Sequence, residues 1–331
     1  MKILVTGAGG DIGSQLVPSF IKQGHKVRAL VKTPEEANRI RQPGLEIFMA
    51  DITDPATLSG AALNIDVAYH LAAALFVTRP EETLREINYG GTINIANECI
   101  DKGVKRFVFP STPLVLGPHT RPEKPLSPED AIIEPTSYHA LYKKLAEQHL
   151  LVLSKHEQLP VTILRLGTVY GPDIRFIKTL KTFMKRGLYR IPGKGDYIMS
   201  TVHIDDVIQG MNLVLENEEA AGQIYNIADD RPVEFKEFVF ELADLLDVPR
   251  PGFAPMWLYR MFASLDTLWA EITKTAPLIT NDVLTFSTSS FAADNNKAKE
   301  QLGFRPKYPT IYEGLPTCVK PPSIQKRQAA A

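Results

Sequence analysis

Cysteine is scarce in this sequence. Two residues, Cys99 and Cys318, stand far apart in 331 positions, with no CxxC or metal-ligand spacing, so neither a disulfide framework nor a zinc site is expected and a reducing compartment is implied. An excess of charge of one sign is also lacking. The 37 Lys and Arg against 38 Asp and Glu leave a net charge of -1, a balance that by itself gives no electrostatic case for nucleic acid or an anionic membrane surface as partner. No long apolar run occurs either. The longest, near Ala68 to Val77, is interrupted by His70 and falls well short of the ~20 residues of a spanning helix, so no membrane span is expected. Met1-Lys2 leads straight into Ile3-Leu4-Val5, leaving no room for a signal segment, and the expected location is cytoplasmic. A hydrophobic share of 44% and a charged share of 23% are those of a globular chain, not a disordered one.

What is present is alternation. From Lys2 to Leu166, β-branched runs at Ile3-Val5, Lys26-Val31, Leu45-Met49, Asp66-Leu71, Arg106-Phe109 and Val161-Leu166 alternate with helical patterns. That order implies right-handed βαβ units and an α/β fold: a Rossmann-type, doubly wound parallel sheet. After Gly171-Pro172 the alternation stops, although Thr201-Val202 and Ile224-Ile227 read as further strands around a helix from Ile204 to Glu216. The expected division is a cofactor domain of residues 1–171 and 201–228, a smaller interleaved C-terminal substrate lobe of 172–200 and 229–318, and a loose tail of 319–331. The lobe's longest helix carries Leu258, Met261, Phe262, Leu265, Leu268, Trp269 and Ile272 at spacings of three and four, and for most of this stripe packing against the sheet is the expected fate. Its charges, Arg260, Asp266 and Glu271, do not make the basic face of a helix that rests on a membrane.

The first strand opens directly into Thr6-Gly7-Ala8-Gly9-Gly10-Asp11-Ile12-Gly13 and then a helix. A pyrophosphate needs backbone amides, a positive helix end and no side chain in the way, and a strand, a glycine turn and a helix supply all three. Gly7, Gly10, Asp11, Ile12 and Gly13 are therefore the candidate phosphate-binding residues. At the end of the second strand, where an acidic residue would read a free ribose 2′-hydroxyl, stand Val31 and Lys32, with Arg28 nearby. This favours NADP, with NAD the alternative. Asp51 and Ile52, after the third strand, suit an adenine edge, although Asp51 could equally cap a helix beginning near Pro55.

The glycine turn together with Asp51-Ile52, His70-Leu71-Ala72-Ala73 and Asn88 resembles the extended short-chain dehydrogenase/reductases. Ser111 to Gly117, Arg165 to Pro172, Val202-His203-Ile204-Asp205-Asp206-Val207, Tyr225-Asn226-Ile227 and Leu302-Gly303-Phe304-Arg305-Pro306 extend the likeness over roughly residues 1 to 316. The resemblance implies a nicotinamide enzyme with Leu71, Ala72 and Ala73 beside the cofactor. It implies Thr112 on the substrate oxygen, Lys143 on the nicotinamide ribose and Asn88 in support; two-helix homodimers are common in that family. Thr112 as a turn residue bonding its own backbone, and Lys143 as a solvent-facing helix lysine beside Lys144, are the plain alternatives.

One position departs from the family pattern. Its catalytic tyrosine stands four residues before the lysine, and here that residue is His139. Tyr138 is five residues away, about 140° round the helix, and Tyr142 is adjacent to the lysine. A histidine starts near pKa 6.5, and the positive surroundings implied by the resemblance disfavour imidazolium, so a neutral His139 accepts a proton better than it donates one. Three readings stay open: His139 as acid/base, a rearranged Tyr138 or Tyr142, or a crippled catalytic step that leaves a cofactor-binding regulator.

Nucleotide-sugar enzymes of the family commonly place a diphosphate-pairing arginine where this chain has Met199, with Arg190 and Arg175 as other sources. Pro255 to Tyr259, Met261-Phe262, Pro277 to Thr280 and Phe291 resemble instead the 3β-hydroxysteroid dehydrogenase and dihydroflavonol reductase branch. The expected activity is hydride transfer between the nicotinamide and a hydroxyl or keto carbon of a bulky apolar small molecule, with a nucleotide-sugar epimerase or dehydratase as the alternative.

Overall fold

The computed structural model describes residues 1–119, 121, 123–127, 134–156 and 159–319. Strands β1 (Lys2–Thr6), β2 (Lys26–Val31), β3 (Leu45–Met49), β4 (Val67–His70), β5 (Arg106–Ser111) and β6 (Val161–Leu166) form a parallel sheet. Next come β7 (Thr168–Tyr170), β8 (Ile191–Pro192), β9 (Ile198–Met199), β10 (Thr201–His203), β11 (Ile224–Ile227), β12 (Val233–Glu234) and β13 (Phe253–Ala254). Of these β11 joins the main sheet, whose order is β11-β6-β5-β4-β1-β2-β3, and the rest pair as β10 with β7, β12 with β9 and β13 with β8. The chain winds outward through β2 and β3, then returns to lay β4 against the other side of β1. The carboxyl ends of β1 and β4 therefore flank the switch point where such sheets hold ligands.

The pleat sorts the core. In β1, Ile3 and Val5 enter one hydrophobic cluster with Leu16, Phe20 and Tyr69, while Leu4 enters a second with Ile95, Phe107, Phe109 and Leu150 on the opposite face. Both faces are covered, as a parallel sheet requires. The helices are α1 (Gly13–Lys22), α2 (Pro34–Ile40), α3 (Pro80–Leu84), α4 (Thr92–Asp101), α5 (Tyr138–Lys155), α6 (Arg175–Lys185), α7 (Ile204–Glu216), α8 (Phe235–Leu245), α9 (Met256–Thr273), α10 (Asn281–Ser287), α11 (Asn296–Leu302) and α12 (Ile311–Val319). Val319 closes α12, and the expected tail beyond it lies outside the described residues.

Three expectations change. β5 runs on through Ser111, so the hydroxyl-bearing loop begins inside the strand. The first helix, expected over Ile12 to Gln23, opens at Gly13, with Ile12 as its N-cap. The apolar stripe of α9 does not pack on the sheet: its seven residues are 39% to 69% exposed, and among the described residues only Ala263 and Ala270 of that helix are buried. The small side chains give close contact on the inner side of α9, and the large ones face outward.

Candidate active site

The glycine turn is built for close approach. Gly7 has φ 65°, and a Cβ there would stand 2.7 Å from the Ala72 nitrogen and 2.8 Å from the Leu71 carbonyl carbon, so only glycine lets the β1 and β4 ends lie side by side. A Cβ on Gly13 would stand 2.4 Å from the Gly7 oxygen, which allows α1 to start directly against the turn. The Gly10 amide donates to the Gly7 carbonyl at 3.0 Å. Ile12 supplies no side-chain cap to α1, and the Ser14 and Gln15 amides donate to the Gly10 and Ile12 carbonyls at 3.0 Å, so what this end offers an anion is the helix dipole and the amides of the turn before Ser14. Leu71 and Ala72 are tied to β1, the Leu71 amide donating to the Thr6 carbonyl at 3.2 Å and the Ala72 amide to Thr6 Oγ1 at 3.1 Å. Ala73, next in the chain, is exposed. Asp11 reaches out of the turn, its carboxylate accepting from the Arg175 amide at 3.2 Å.

The β2 and β3 ends differ from expectation in two respects. Arg28 is consumed in the scaffold: it pairs with Glu46 at 2.7 Å and donates to the carbonyls of Gly60, Ala61 and Leu63. Lys32 remains at the edge, paired with Asp51 at 2.7 Å. Asp51 does not cap the turn at Pro55, because Asp54 does so by accepting from the Ala56 amide at 3.1 Å. Burial raises the Asp51 pKa, but Lys32 and the Thr53 amide and hydroxyl outweigh it and hold the carboxyl below its ordinary value. Ile52 is buried against Gly91, where a Cβ would come within 2.7 Å of its side chain.

Asn88, His139 and Lys143 converge. Asn88 sits in a π-helical turn, Arg85–Gly91, and is buried. It grips the backbone of Ala74 from both sides: its Oδ1 accepts from the Ala74 amide at 2.7 Å and its Nδ2 donates to the Ala74 carbonyl at 2.9 Å. His139 Nδ1 lies 3.2 Å from that carbonyl and 3.3 Å from Asn88 Nδ2. A protonated Nδ1 donates to Ala74 and leaves Nε2 as a base; an unprotonated Nδ1 accepts from Asn88. The Phe286 ring of α10 meets the imidazole edge to face, with centroids 4.8 Å apart. Burial, and then the Lys143 charge, lower the His139 pKa to about 3, so the ring is neutral at pH 7.

Lys143 is not a surface lysine. It is buried, its ammonium lies over the Phe109 ring at 4.3 Å, and it donates to the Pro110 carbonyl at 2.9 Å. Burial lowers its pKa to about 8. Its neighbour Lys144 pairs with Glu134 at 3.1 Å instead. Thr112 does make the turn contact of the plain reading, its Oγ1 accepting from the Leu114 amide at 3.3 Å. That bond uses a lone pair and leaves the O–H free to donate. The phenol of Tyr138 turns away, donating to Glu81 at 2.9 Å, and Glu81 raises its pKa through that bond and its charge. Tyr142 is buried, and burial and Glu81 raise its pKa as well.

Three supporting groups were not read from the sequence. Asp282 of α10 accepts from the amides of Tyr138 and His139 at 2.6 and 3.3 Å, so a carboxylate from a distant helix closes the N-terminus of α5. Phe286 covers the imidazole. Ser111 Oγ is buried with no hydrogen-bond partner among the described residues. The hint of this was the likeness of Ser111 to Gly117 to the family's active-site serine/threonine loop. Glu147, four residues beyond Lys143, forms a buried pair with Arg165 of β6 at 2.7 Å and ties the middle of α5 to the sheet. In the other quoted motifs, Asp206 accepts from the amides of Lys307 and Tyr308, and Asn226 donates to the carbonyls of Leu126 and Asp294. Met199, buried in β9, pairs with Val233 and presents no cation. Arg190 donates to the carbonyls of Gly187 and Tyr189, while the Arg175 guanidinium lies 5.0 Å from the Phe76 ring. No group of metal-ligating side chains occurs among the described residues.

Comparison with known proteins identifies the family and the fold. The sequence model of the NAD dependent epimerase/dehydratase family matches residues 3–228. The chain belongs to that family. It is 30% identical over 322 residues to a UDP-glucose 4-epimerase of Vibrio cholerae, covering 95% of this chain and 93% of that one. It is 28% identical over 284 residues to a 2-alkyl-3-oxoalkanoate reductase of Stenotrophomonas maltophilia, covering 81% and 83%. The structure of UDP-glucuronic acid 4-epimerase from Bacillus cereus, solved with UDP-glucuronic acid and NAD, superposes with TM-score 0.75 at 26% identity over 96% of this chain and 97% of that one. This family member is thus an enzyme of the extended short-chain dehydrogenase/reductase type, with NAD(P) oxidoreductase and nucleotide-sugar epimerase chemistry both represented among its relatives.

Proposed function

We propose that this family member is an oxidoreductase that moves hydride between a nicotinamide dinucleotide and the hydroxyl or keto carbon of a bulky apolar molecule. The observation that carries the reading is the anchored, neutral imidazole of His139 with the Phe286 ring against it. The glycine cradle, the uncapped α1 terminus and the orphaned Ser111 hydroxyl fit a bound dinucleotide, which would supply or take the hydride. Its pyrophosphate would be held by Gly7, Gly10, Asp11, Ile12 and Gly13, its adenosine half by Lys32, Asp51 and Ile52, and its inner face by Leu71, Ala72 and Ala73. Lys143 would hold the nicotinamide ribose. Val31 offers no carboxylate to a ribose 2′-hydroxyl and Lys32 remains exposed at that edge, which supports NADP, with NAD the alternative. The lobe of residues 172–200 and 229–318 would supply the substrate side.

Thr112 donates its hydroxyl proton to the substrate oxygen and orients it. His139, its Nδ1–H held by Ala74, is neutral at pH 7 and so offers Nε2 to the alcohol proton in its accepting form. Asn88 fixes Ala74 and thereby the ring. The nucleotide-sugar alternative lacks the cation expected at Met199, and Arg190 is bonded to its own turn; Arg175, beside the glycine turn, is the remaining candidate.

The test is a turnover screen of apolar secondary alcohols and ketones against UDP-sugars, run on the native chain and on H139A and H139Y. The expected result is turnover of the apolar class, with kcat lower by about 10²- to 10⁴-fold in H139A and cofactor affinity unchanged. A sharp rise in kcat in H139Y would identify the native chain as catalytically impaired and overturn the role of His139. Turnover confined to UDP-sugars would overturn the substrate class.

A further inference from the structure

Helix α9 presents its large apolar residues outward. Trp257, Leu258, Met261, Phe262, Leu265, Leu268, Trp269 and Ile272 are 39% to 69% exposed. At about 100° per residue these eight positions fall within an arc of about 140°, and no charged residue shares it. The inner side is fastened to the protein: Tyr259 donates to the Arg190 carbonyl, Asn281 donates to Ser264, and Asp266 accepts from the amides of Leu278 and Ile279. The outward set of the helix is therefore fixed by polar contacts on its back. A soluble monomer ordinarily leaves contiguous apolar patches of only ~300–600 Å², and this stripe is extended at its N-terminal end by Phe253 and Leu188, both at least half exposed.

Two features say what the stripe meets. Both tryptophans of the chain lie on it, Trp257 near one end and Trp269 near the other, about 18 Å apart along the helix axis. Indoles with an apolar body and one N–H are suited to the boundary between hydrocarbon and water. The second feature is charge. The N-terminal end of α9 adjoins the turn that joins α6 to β8, because Phe253 pairs with Ile191 and Tyr259 bonds Arg190. In that segment Lys185, Arg186 and Arg190 are exposed, as is Arg260 on α9; none is in an ion pair with a described residue, and residues 183–192 and 253–265 contain no Asp or Glu. The helix alone lacks a basic face, and the fold supplies one from a different segment. Anionic headgroups would complement these cations while the acyl boundary covers the stripe.

We infer that α9, with the Leu188 turn and Phe253, docks this protein on the surface of an anionic lipid bilayer, lying in the interface without crossing it. The apolar arc enters the headgroup and acyl boundary, and Lys185, Arg186, Arg190 and Arg260 meet the phosphates. The following helix, α10, carries Asp282 and Phe286 to His139, so the docking face belongs to the same lobe that meets the imidazole.

Vesicle flotation of the full chain tests this independently of turnover, so its outcome does not depend on the proposed reaction. The probes are vesicles of phosphatidylcholine alone and of phosphatidylcholine with phosphatidylglycerol, and the signal is the emission of the chain's two tryptophans. The expected result is flotation with the anionic vesicles, a blue shift, and quenching by lipids brominated on the acyl chain. Partitioning should fall at least about tenfold in L265D/L268D, several-fold in K185A/R186A/R190A, and in added salt for the native chain. Both variants alter exposed side chains, and unchanged thermal unfolding verifies that they fold. Absence of flotation, equal partitioning into the two vesicle types, or flotation indifferent to L265D/L268D would overturn the inference. So would a doubled mass by light scattering without lipid that L265D/L268D returns to the monomer, since the face would then belong to a second copy.

Discussion

At the scale of single residues, the site turns on side chains whose neighbours remove their alternatives. Lys143 loses its freedom to Pro110, His139 to Ala74 and Asn88, and Tyr138 to Glu81. Arg28 has no part at the dinucleotide edge, since four acceptors hold it inside. On the proposed reading, discrimination between NADP and NAD would rest on Lys32, whose ammonium pairs with Asp51 at that edge. Lys32→Ala is expected to weaken NADP binding by about 10-fold or more, the loss of one charge-assisted contact of ~1.5–3 kcal/mol. NAD binding should change little. Titration of both dinucleotides against the two proteins by calorimetry checks this, and an equal loss for both would remove Lys32 from the choice.

Among elements, α5 carries His139 and Lys143 and is held at two points. At its start, Ser137 accepts from the Ala140 amide at 3.2 Å and Asp282 accepts from the two amides of Tyr138 and His139. A carboxylate at a helix N-terminus satisfies orphan donors and complements the helix dipole. Asp282→Ala should therefore cost about 1–2 kcal/mol of stability, read as a lower midpoint in urea. It should also reduce kcat, because the backbone that carries His139 is no longer held. In its middle, the buried Arg165–Glu147 pair fastens α5 to β6. Arg165→Leu leaves Glu147 buried without its partner and should cost about 3–5 kcal/mol, whereas Arg165→Leu with Glu147→Leu should recover most of that loss. Chemical denaturation of the three proteins is the measurement, and additive losses would show that the pair is not coupled.

The whole molecule carries a pH dependence in its buried imidazoles. His70, fully buried between Thr6 and Thr92, and His139 both have pKa values lowered to about 3, in each case by burial first and Lys143 second. Unfolded, each titrates near 6.5. Between pH 6.5 and 3 the unfolded chain thus binds more protons than the folded one, so stability falls as pH drops through that window. Thermal unfolding followed from pH 7 to 4 should show a steadily lower midpoint, with a shallower slope in H139N. An unaltered slope would mean that His139 takes a proton in the folded state. At this scale, too, among the described residues no helix is long and apolar enough to cross a membrane. The outward stripe of α9 lies along the surface of the lobe.

Local rules made much of this legible in the amino-acid order. Strand runs with both faces buried, glycines where no Cβ fits, and the order of the motifs depend on near neighbours in the chain. β2, β6, β11 and α7 accordingly begin and end at the residues where their patterns do. The pairing of distant side chains was not legible. Nothing local to Asp282 says that it caps a helix 144 positions earlier, and nothing in Arg28 says that carbonyls at 60, 61 and 63 claim it. The stripe of α9 is the clearest case. A period of 3.6 states that a helix has an apolar face, but the direction of that face is set by what packs on the opposite side. Here Ala263, Ala270 and the polar ties to Arg190, Leu278 and Asn281 turned it outward. The sequence alone determined the family, the glycine turn between β1 and α1 and the histidine four residues before Lys143; tertiary structure decided which groups surround that histidine and which face of α9 is left open, because those are contacts between segments that chain order keeps apart.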